Sequence, residues 1–148
     1  MELVKCKGYR IRADLYYDGE RNLWIEPLER RKVRIGFDPL GVEVNGTLAQ
    51  LIIGEAPRRV RRGDAIGTIE ADKFVGPLES PLSGSVADVN GSVISCLGAV
   101  YEDCYAAWLL ELAGVEPEEF IHLIQPEKAA AEFEARVERY QKAGVLAW

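Results

Sequence analysis

The chain is poor in the residues that most catalytic and metal sites require. Among its 148 residues there is one histidine, His122, one methionine and three cysteines. Cys96 and Cys104 lie too far apart, and have too few neighbouring ligands, for a typical zinc site. We also find no nucleophile–histidine–acid set, no phosphate-binding glycine loop and no paired metal carboxylates. These absences argue against an independent enzyme and against a metal centre.

Long apolar runs are missing as well, so the sequence predicts no membrane insertion. The start of the chain, Met1–Cys6, lacks a signal-peptide core, and an odd number of cysteines is typical of the reducing cytoplasm. The net charge of −6 disfavours a nucleic-acid partner. One basic run, Arg58–Arg62, departs from this balance. We interpret it as a solvated loop before a strand, with a docking patch for an acidic partner as the alternative.

The length predicts a single domain over residues 1–148, and the middle of the chain predicts its class. Strands are indicated at Leu23–Pro27 and Lys32–Phe37, and short strand signals broken by glycine and proline fill Gly46–Val93. This spacing is typical of an antiparallel sandwich or barrel, with a core over about residues 15–112. Gly46–Leu51 also matches Gly84–Val89 by residue class at all six positions, which suggests two related halves.

The last part of the chain, about residues 116–144, predicts helices. Val115–Ile124 indicates a short helix with proline in its first turn, and a second helix is expected from Pro126 to Gly144. One face of the second helix carries apolar residues at helical spacing: Ala130, Phe133, Val137 and Tyr140. We expect this stripe to pack against the sandwich, with a partner-binding helix as the alternative.

Lys73 lies in a predicted β-hairpin. Ile66–Glu70 would lead into the turn and Ala71–Phe74 would form it. A lysine held at a rigid, protruding turn is accessible to a modifying enzyme. The alternative is an ordinary surface lysine, which is the commoner role of such a residue.

The surroundings of Lys73 resemble the lipoyl-lysine site of the glycine cleavage H-protein family. That site reads E-S-V-K-A and, seven residues on, S-P-x-S-G. The matching positions here are Glu70, Lys73, Ser80, Pro81, Ser83 and Gly84. Similar family segments occur in order at Val33–Phe37, Arg62–Gly67, Val89–Asn90 and Asp103–Leu109, so the resemblance covers roughly residues 15–125.

The resemblance implies a mainly β fold of the lipoyl/biotinyl type, a flattened sandwich (barrel-sandwich hybrid) whose halves are related by a pseudo-twofold axis. It also implies a carrier, not an enzyme, with lipoate attached to Lys73 as lipoamide, a swinging arm. Glu70 and Asp72 would orient the hairpin or aid recognition by the lipoate-attaching enzyme. Biotin sites have methionine on both sides of the lysine, whereas Asp72 and Phe74 flank Lys73, so lipoate is favoured.

Several departures from the family suggest a particular branch. Asn22 stands where the family has the histidine of H-E-W-V, Cys104 replaces the proline of D-P-Y, and the chain continues beyond about Gln125. On this basis the sequence looks more like the lipoate-binding proteins of sulfur oxidation, which would deliver a sulfur-bound intermediate to a heterodisulfide-reductase-like complex.

Two alternatives stay open beside the sulfur pathway. The first is glycine cleavage, in which the protein would carry an aminomethyl group for glycine decarboxylase-type enzymes. The second is an unmodified interaction module with the same fold. Dihydrolipoamide dehydrogenase is a further candidate partner, and a redox role for the cysteines, through exchange with lipoamide, also remains open.

Overall fold

The computed structural model describes residues 3–54 and 58–146. The strands in this part of the chain are β1 Leu3–Cys6, β2 Tyr9–Arg12, β3 Tyr16–Asp18, β4 Leu23–Pro27, β5 Val33–Phe37, β6 Leu48–Ile53, β7 Arg58–Val60, β8 Ala65–Ala71, β9 Val75–Glu79, β10 Gly84–Val89 and β11 Leu110–Ala113. The α-helices are α1 Pro39–Asn45, α2 Gly91–Ile94, α3 Ala99–Glu102 and α4 Ala129–Lys142, and 3₁₀ helices span Pro117–His122 and Pro126–Lys128.

Two antiparallel sheets form the body of the molecule. The larger sheet has the order β3-β4-β5-β11-β10-β7, and the smaller has the order β6-β8-β9. Both sheets contribute to one buried apolar cluster, to which Ile35 and Val86 belong from the larger sheet and Leu51 and Ile69 from the smaller. Burial of these side chains between the sheets is the main stabilising contribution. The predicted mainly β flattened sandwich with C-terminal helices is therefore confirmed.

The match between Gly46–Leu51 and Gly84–Val89, a short sequence echo, is also seen in the structure. Its first segment contains most of β6, in the smaller sheet, and its second segment is β10, in the larger sheet. Each strand has a register shift at the same position of the echo, around Ala49 in β6 and around Ala87 in β10. Such irregularities bend a strand locally. A shared bend at equivalent positions supports the prediction of two related halves.

A second apolar cluster lies outside the sandwich core. Strands β1 and β2 form a hairpin that was not predicted from the sequence. The cluster contains Cys6 and Ile11 from this hairpin, Leu40 from α1, and Phe133 and Val137 from α4. The apolar stripe of α4 therefore packs on the N-terminal hairpin and α1, and the expectation that it covers the sandwich itself was wrong.

The C-terminal helices begin and end close to the predicted positions. The first is a 3₁₀ helix over Pro117–His122. The second follows the turn at Pro126 and runs to Lys142. Gly144 has a φ of +73°, a conformation in which glycine ends many helices. Among the described residues, no helix is long and apolar enough to cross a membrane.

Candidate functional site

The predicted hairpin is present. Strands β8 and β9 pair up to Glu70 and Val75, and Asp72, Lys73 and Phe74 form the connection between them. The Ala71 amide donates to the Phe74 carbonyl at 2.9 Å, which closes the turn. The Lys73 side chain is exposed. The structure therefore presents this lysine exposed in the turn of the β8–β9 hairpin, as the sequence predicts.

The turn is also held by the C-terminal end of α1 and the residues that follow it. The Lys73 amide donates to the Asn45 carbonyl at 3.1 Å, and the Asp72 amide donates to the Thr47 carbonyl at 3.0 Å. The Asp72 carboxylate in turn accepts a hydrogen bond of 2.7 Å from the Thr47 amide. These three bonds hold the lysine backbone against α1, and they give Asp72 a direct part in orienting the hairpin.

Gly46 and Tyr101 complete this support, and neither was predicted from the sequence as a site residue. Gly46 has a φ of +71°, and its missing side chain leaves the space that the Asp72 carboxylate occupies. The Tyr101 hydroxyl donates to the Gly46 carbonyl at 2.7 Å and accepts from the Leu48 amide at 2.6 Å. Tyr101 on α3 thus fixes the backbone of residues 46–48, to which the lysine hairpin is hydrogen-bonded.

Glu70 lies differently from Asp72. It is an exposed residue of β8, opposite Gln50 on one side and Val75 on the other. Its carboxylate makes no hydrogen bond to any residue in the described part of the chain. Because it faces solvent two strand positions from the turn, it is available to a partner and does not shape the hairpin through a hydrogen bond of its own.

A cleft of about 350 Å³ lies beside Lys73 and extends along β9. Phe74, Pro77 and Leu78 form an apolar part of its wall, and Asn22 and Asn45 border it as well. From Val75 to Glu79 the strand spans roughly 13 Å, and the cleft runs from the lysine turn along this length of β9. A larger groove of about 910 Å³ lies elsewhere, between Tyr16 and the first 3₁₀ helix, and does not include Lys73.

The far part of the cleft carries an excess of negative charge. Glu20, Arg21 and Glu79 line it. The Arg21 guanidinium forms ion pairs with Asp18 at 2.9 Å and with Glu79 at 3.3 Å, so its positive charge is already compensated. Glu20 adds a further carboxylate and also borders a neighbouring pocket with Arg62 and Arg139. The side chains that line this end of the cleft itself, two carboxylates and one guanidinium, suit a cationic group better than an anionic one.

The cysteines lie apart from the lysine cleft, and none of the three lines it. Burial, together with the charges of Asp38 and Asp103, raises the pKa of the Cys104 thiol to about 12. Burial, followed by the charge of Glu134, also raises the pKa of Cys6. Cys96 is exposed. A thiol with a raised pKa is a poor nucleophile at neutral pH, so Cys6 and Cys104 are poorly suited to thiol exchange with an arm on Lys73, and the redox role stays a prediction for the exposed Cys96.

These differences predict selective alkylation. At pH 8 a thiol with a pKa of about 12 is ionised in roughly one molecule in ten thousand. We expect iodoacetamide to modify Cys96 first in the folded protein, and all three cysteines after denaturation. Peptide mass mapping at successive times measures the order. Modification of Cys104 as fast as Cys96 would contradict the desolvation of the half-buried Cys104 thiol.

The basic run forms part of a strand. Arg58 and Arg59 belong to β7, which lies at the edge of the larger sheet and pairs with β10. The expectation of a loop was wrong at these two positions, while the solvent exposure of Arg58, Arg59, Arg61 and Arg62 is as expected. Charged side chains on an edge strand discourage pairing with other chains.

Among the described residues, no group of histidine, cysteine and acidic side chains could hold a metal ion.

A flattened sandwich that fixes one exposed lysine at a hairpin tip defines a carrier domain of the lipoyl/biotinyl class. The family model described as Glycine cleavage H-protein matches residues 15–136. The chain therefore belongs to the glycine cleavage H-protein family, whose members are carriers with covalently attached lipoate and are not catalysts. The family recognised from the sequence, the lipoate cofactor and the non-enzymatic role are confirmed.

Individual relatives agree with this assignment. The probable glycine cleavage system H protein of Pyrococcus furiosus is 29% identical over 131 residues, which cover 88% of this chain and 97% of the relative. The glycine cleavage system H protein 3 of Aquifex aeolicus is 26% identical over 139 residues, covering 90% and 86%. The crystal structure of an H protein from Mycobacterium marinum superposes with a TM-score of 0.70 at 25% identity, covering 83% of this chain and 98% of that one.

Proposed function

We propose that the protein serves glycine cleavage, with a lipoyl arm in amide linkage to Nζ of Lys73 that carries an aminomethyl group between enzymes. The observation that supports a lipoyl arm on Lys73 most directly is the fixed hairpin. The Lys73 backbone is hydrogen-bonded to Asn45, while its side chain is exposed. A modifying enzyme thus meets the amine in a defined position, and the attached arm remains free to move.

The residues around the lysine fit such an arm. Bound lipoamide supplies the sulfur atoms that take up and release the cargo. The apolar side chains of Phe74 and Leu78 suit the hydrocarbon part of the arm. Glu20 and Glu79 would attract an amine, which is cationic at neutral pH, at the far end of the cleft. This charge is the feature of the chain itself that favours an aminomethyl cargo.

The sulfur pathway, expected above from the departures at Asn22 and Cys104, receives no support from the comparisons. Both of the relatives and the solved structure described above are named for the glycine cleavage system. We accordingly propose glycine decarboxylase-type enzymes and a lipoate-attaching enzyme as partners, with dihydrolipoamide dehydrogenase reoxidising the arm. A heterodisulfide-reductase-like complex becomes the alternative that the experiment must distinguish.

The proposal is tested in two steps. First, intact mass and peptide mapping after exposure to a lipoate-attaching enzyme should show one lipoyl group, on the peptide that contains Lys73. Second, the lipoylated protein should support glycine-dependent release of CO₂ by a glycine decarboxylase, and the unlipoylated protein should not. An unmodified mass would favour the interaction module. A lipoylated protein that fails with glycine decarboxylase and is turned over by a heterodisulfide-reductase-like complex would restore the sulfur pathway.

A further inference from the structure

Arg136 of α4 is a fully buried charge whose contacts lead toward the lysine site. Its Nη1 lies 2.7 Å from the Asp38 carboxylate, which is equally buried, and its Nη2 lies 3.1 Å from Glu132. Nη1 also donates to Oδ1 of Asn22 at 2.7 Å. Burying a guanidinium and a carboxylate carries a desolvation penalty, and replacing such a pair by apolar side chains of similar volume is often neutral or stabilising. Stability alone therefore does not explain why this ion pair is buried at this position.

One connection runs from Arg136 through α1 to the hairpin. Asp38 uses one carboxylate oxygen for Arg136 and the other to cap α1, accepting from the Gly41 amide at 2.9 Å. The opposite end of this helix supplies the Asn45 carbonyl that binds the Lys73 amide. A seven-residue helix is not stable by itself, so its placement depends on such tertiary contacts.

A second connection runs through Asn22, which borders the cleft. Its Oδ1 accepts from Arg136 and, at 3.0 Å, from the hydroxyl of Tyr140. The guanidinium can only donate, so the side-chain oxygen must point toward α4, and the amide NH₂ is directed elsewhere. The Asn22 carbonyl also accepts from the Asp38 amide at 3.0 Å, which joins the two connections.

We propose that Arg136 is a positioning residue for the carrier site: it holds α1 and Asn22, which both border the cleft beside Lys73, in the arrangement that receives the arm. This inference rests on the proposed function for the arm, but the positioning itself concerns the protein before modification. Through Arg136 and Tyr140, α4 thus becomes a part of the lysine site.

The test uses unlipoylated protein and amide hydrogen exchange resolved by residue. The Asp72 and Lys73 amides report the docking of the hairpin, and the Leu109 amide, bonded to Ile35 in the larger sheet, is the internal reference. In Arg136→Lys the charge remains, but one ammonium cannot replace the planar contacts to Asp38, Glu132 and Asn22. We expect the exchange rate of the Lys73 amide to rise about tenfold relative to that of the Leu109 amide, because an amide can exchange through a local opening without global unfolding.

Val137→Ala is the matched control, because it weakens the packing of the same helix without removing a contact to Asn22 or Asp38. Its ratio of Lys73 to Leu109 exchange should stay at the wild-type value. Equal ratios in the two variants would show that Arg136 is only structural and would overturn the proposal. If Arg136→Lys does not fold, Tyr140→Phe decides: we expect shifted Asn22 side-chain amide resonances and a Lys73 ratio raised about threefold. An unchanged ratio would likewise overturn it.

The result is independent of the proposed function. A raised Lys73 ratio in a protein that no lipoate-attaching enzyme modifies would support the positioning network and refute the carrier assignment. Lipoylation at Lys73 with an unchanged ratio would do the reverse.

Discussion

Lys73→Arg should abolish lipoylation while leaving the fold and stability unchanged. The lipoyl amide forms on an uncharged primary amine, and lysine can release its proton within an enzyme, whereas the arginine guanidinium stays protonated. The turn is held through the backbone of Lys73, and its long, exposed side chain makes no hydrogen bond to any residue of 3–54 or 58–146 that the substitution would remove. Intact mass after incubation with a lipoate-attaching enzyme measures the effect, and we expect complete loss of the added mass.

Lys7 provides a matched control for this substitution. It is also an exposed lysine at a hairpin tip, in the connection between β1 and β2, with a φ of +52°. Its turn, however, belongs to a separate two-stranded sheet. We expect Lys7→Arg to be lipoylated to the wild-type extent. A Lys73→Arg protein that still gains a lipoyl group, or a loss of modification in Lys7→Arg, would refute Lys73 as the attachment site.

The lysine hairpin could be predicted from the sequence because its determinants are local. The segment Ile66–Glu70 that leads into the turn places Lys73 in a hairpin, and the motif around Glu70 and Ser80 adds the family. The echo between β6 and β10 is likewise visible as residue classes, since the shared strand path imposes the same pattern on both segments.

The support beneath the hairpin could not be predicted in the same way. Tyr101 reaches the Gly46 carbonyl across 55 positions of sequence, and Arg136 reaches Asn22 across 114. In a helix pattern Arg136 resembles any charged residue beside an apolar stripe, and its burial is decided by Asp38 on another element. The N-terminal hairpin was missed for a similar reason, because its apolar residues are buried by α4 and α1 and show little pattern of their own.

Gly46 is the position at which a single methyl group should disturb the lysine site most. Its φ of +71° and ψ of −146° lie in a region that is almost restricted to glycine, where another residue is strained by about 1 to 3 kcal/mol. An added Cβ would also lie 3.1 Å from Cγ of Lys73 and would collide with the Asp72 carboxylate. Displacing that carboxylate removes its hydrogen bond to the Thr47 amide, at a further cost of about 1.5 kcal/mol or more.

We therefore expect Gly46→Ala to lower the free energy of unfolding by about 3 kcal/mol and to slow lipoylation in the fraction that remains folded. Urea denaturation gives the first quantity, and the rate of mass increase gives the second. Gly91→Ala is the control, because a Cβ on Gly91 would meet no atom within 4 Å from the rest of the described chain, beyond its own neighbours and helix backbone. Its stability should change by less than about 0.5 kcal/mol or increase slightly. If Gly46→Ala were as stable and as readily lipoylated as Gly91→Ala, the contact between Asp72 and the 45–47 segment would not be what holds the lysine turn.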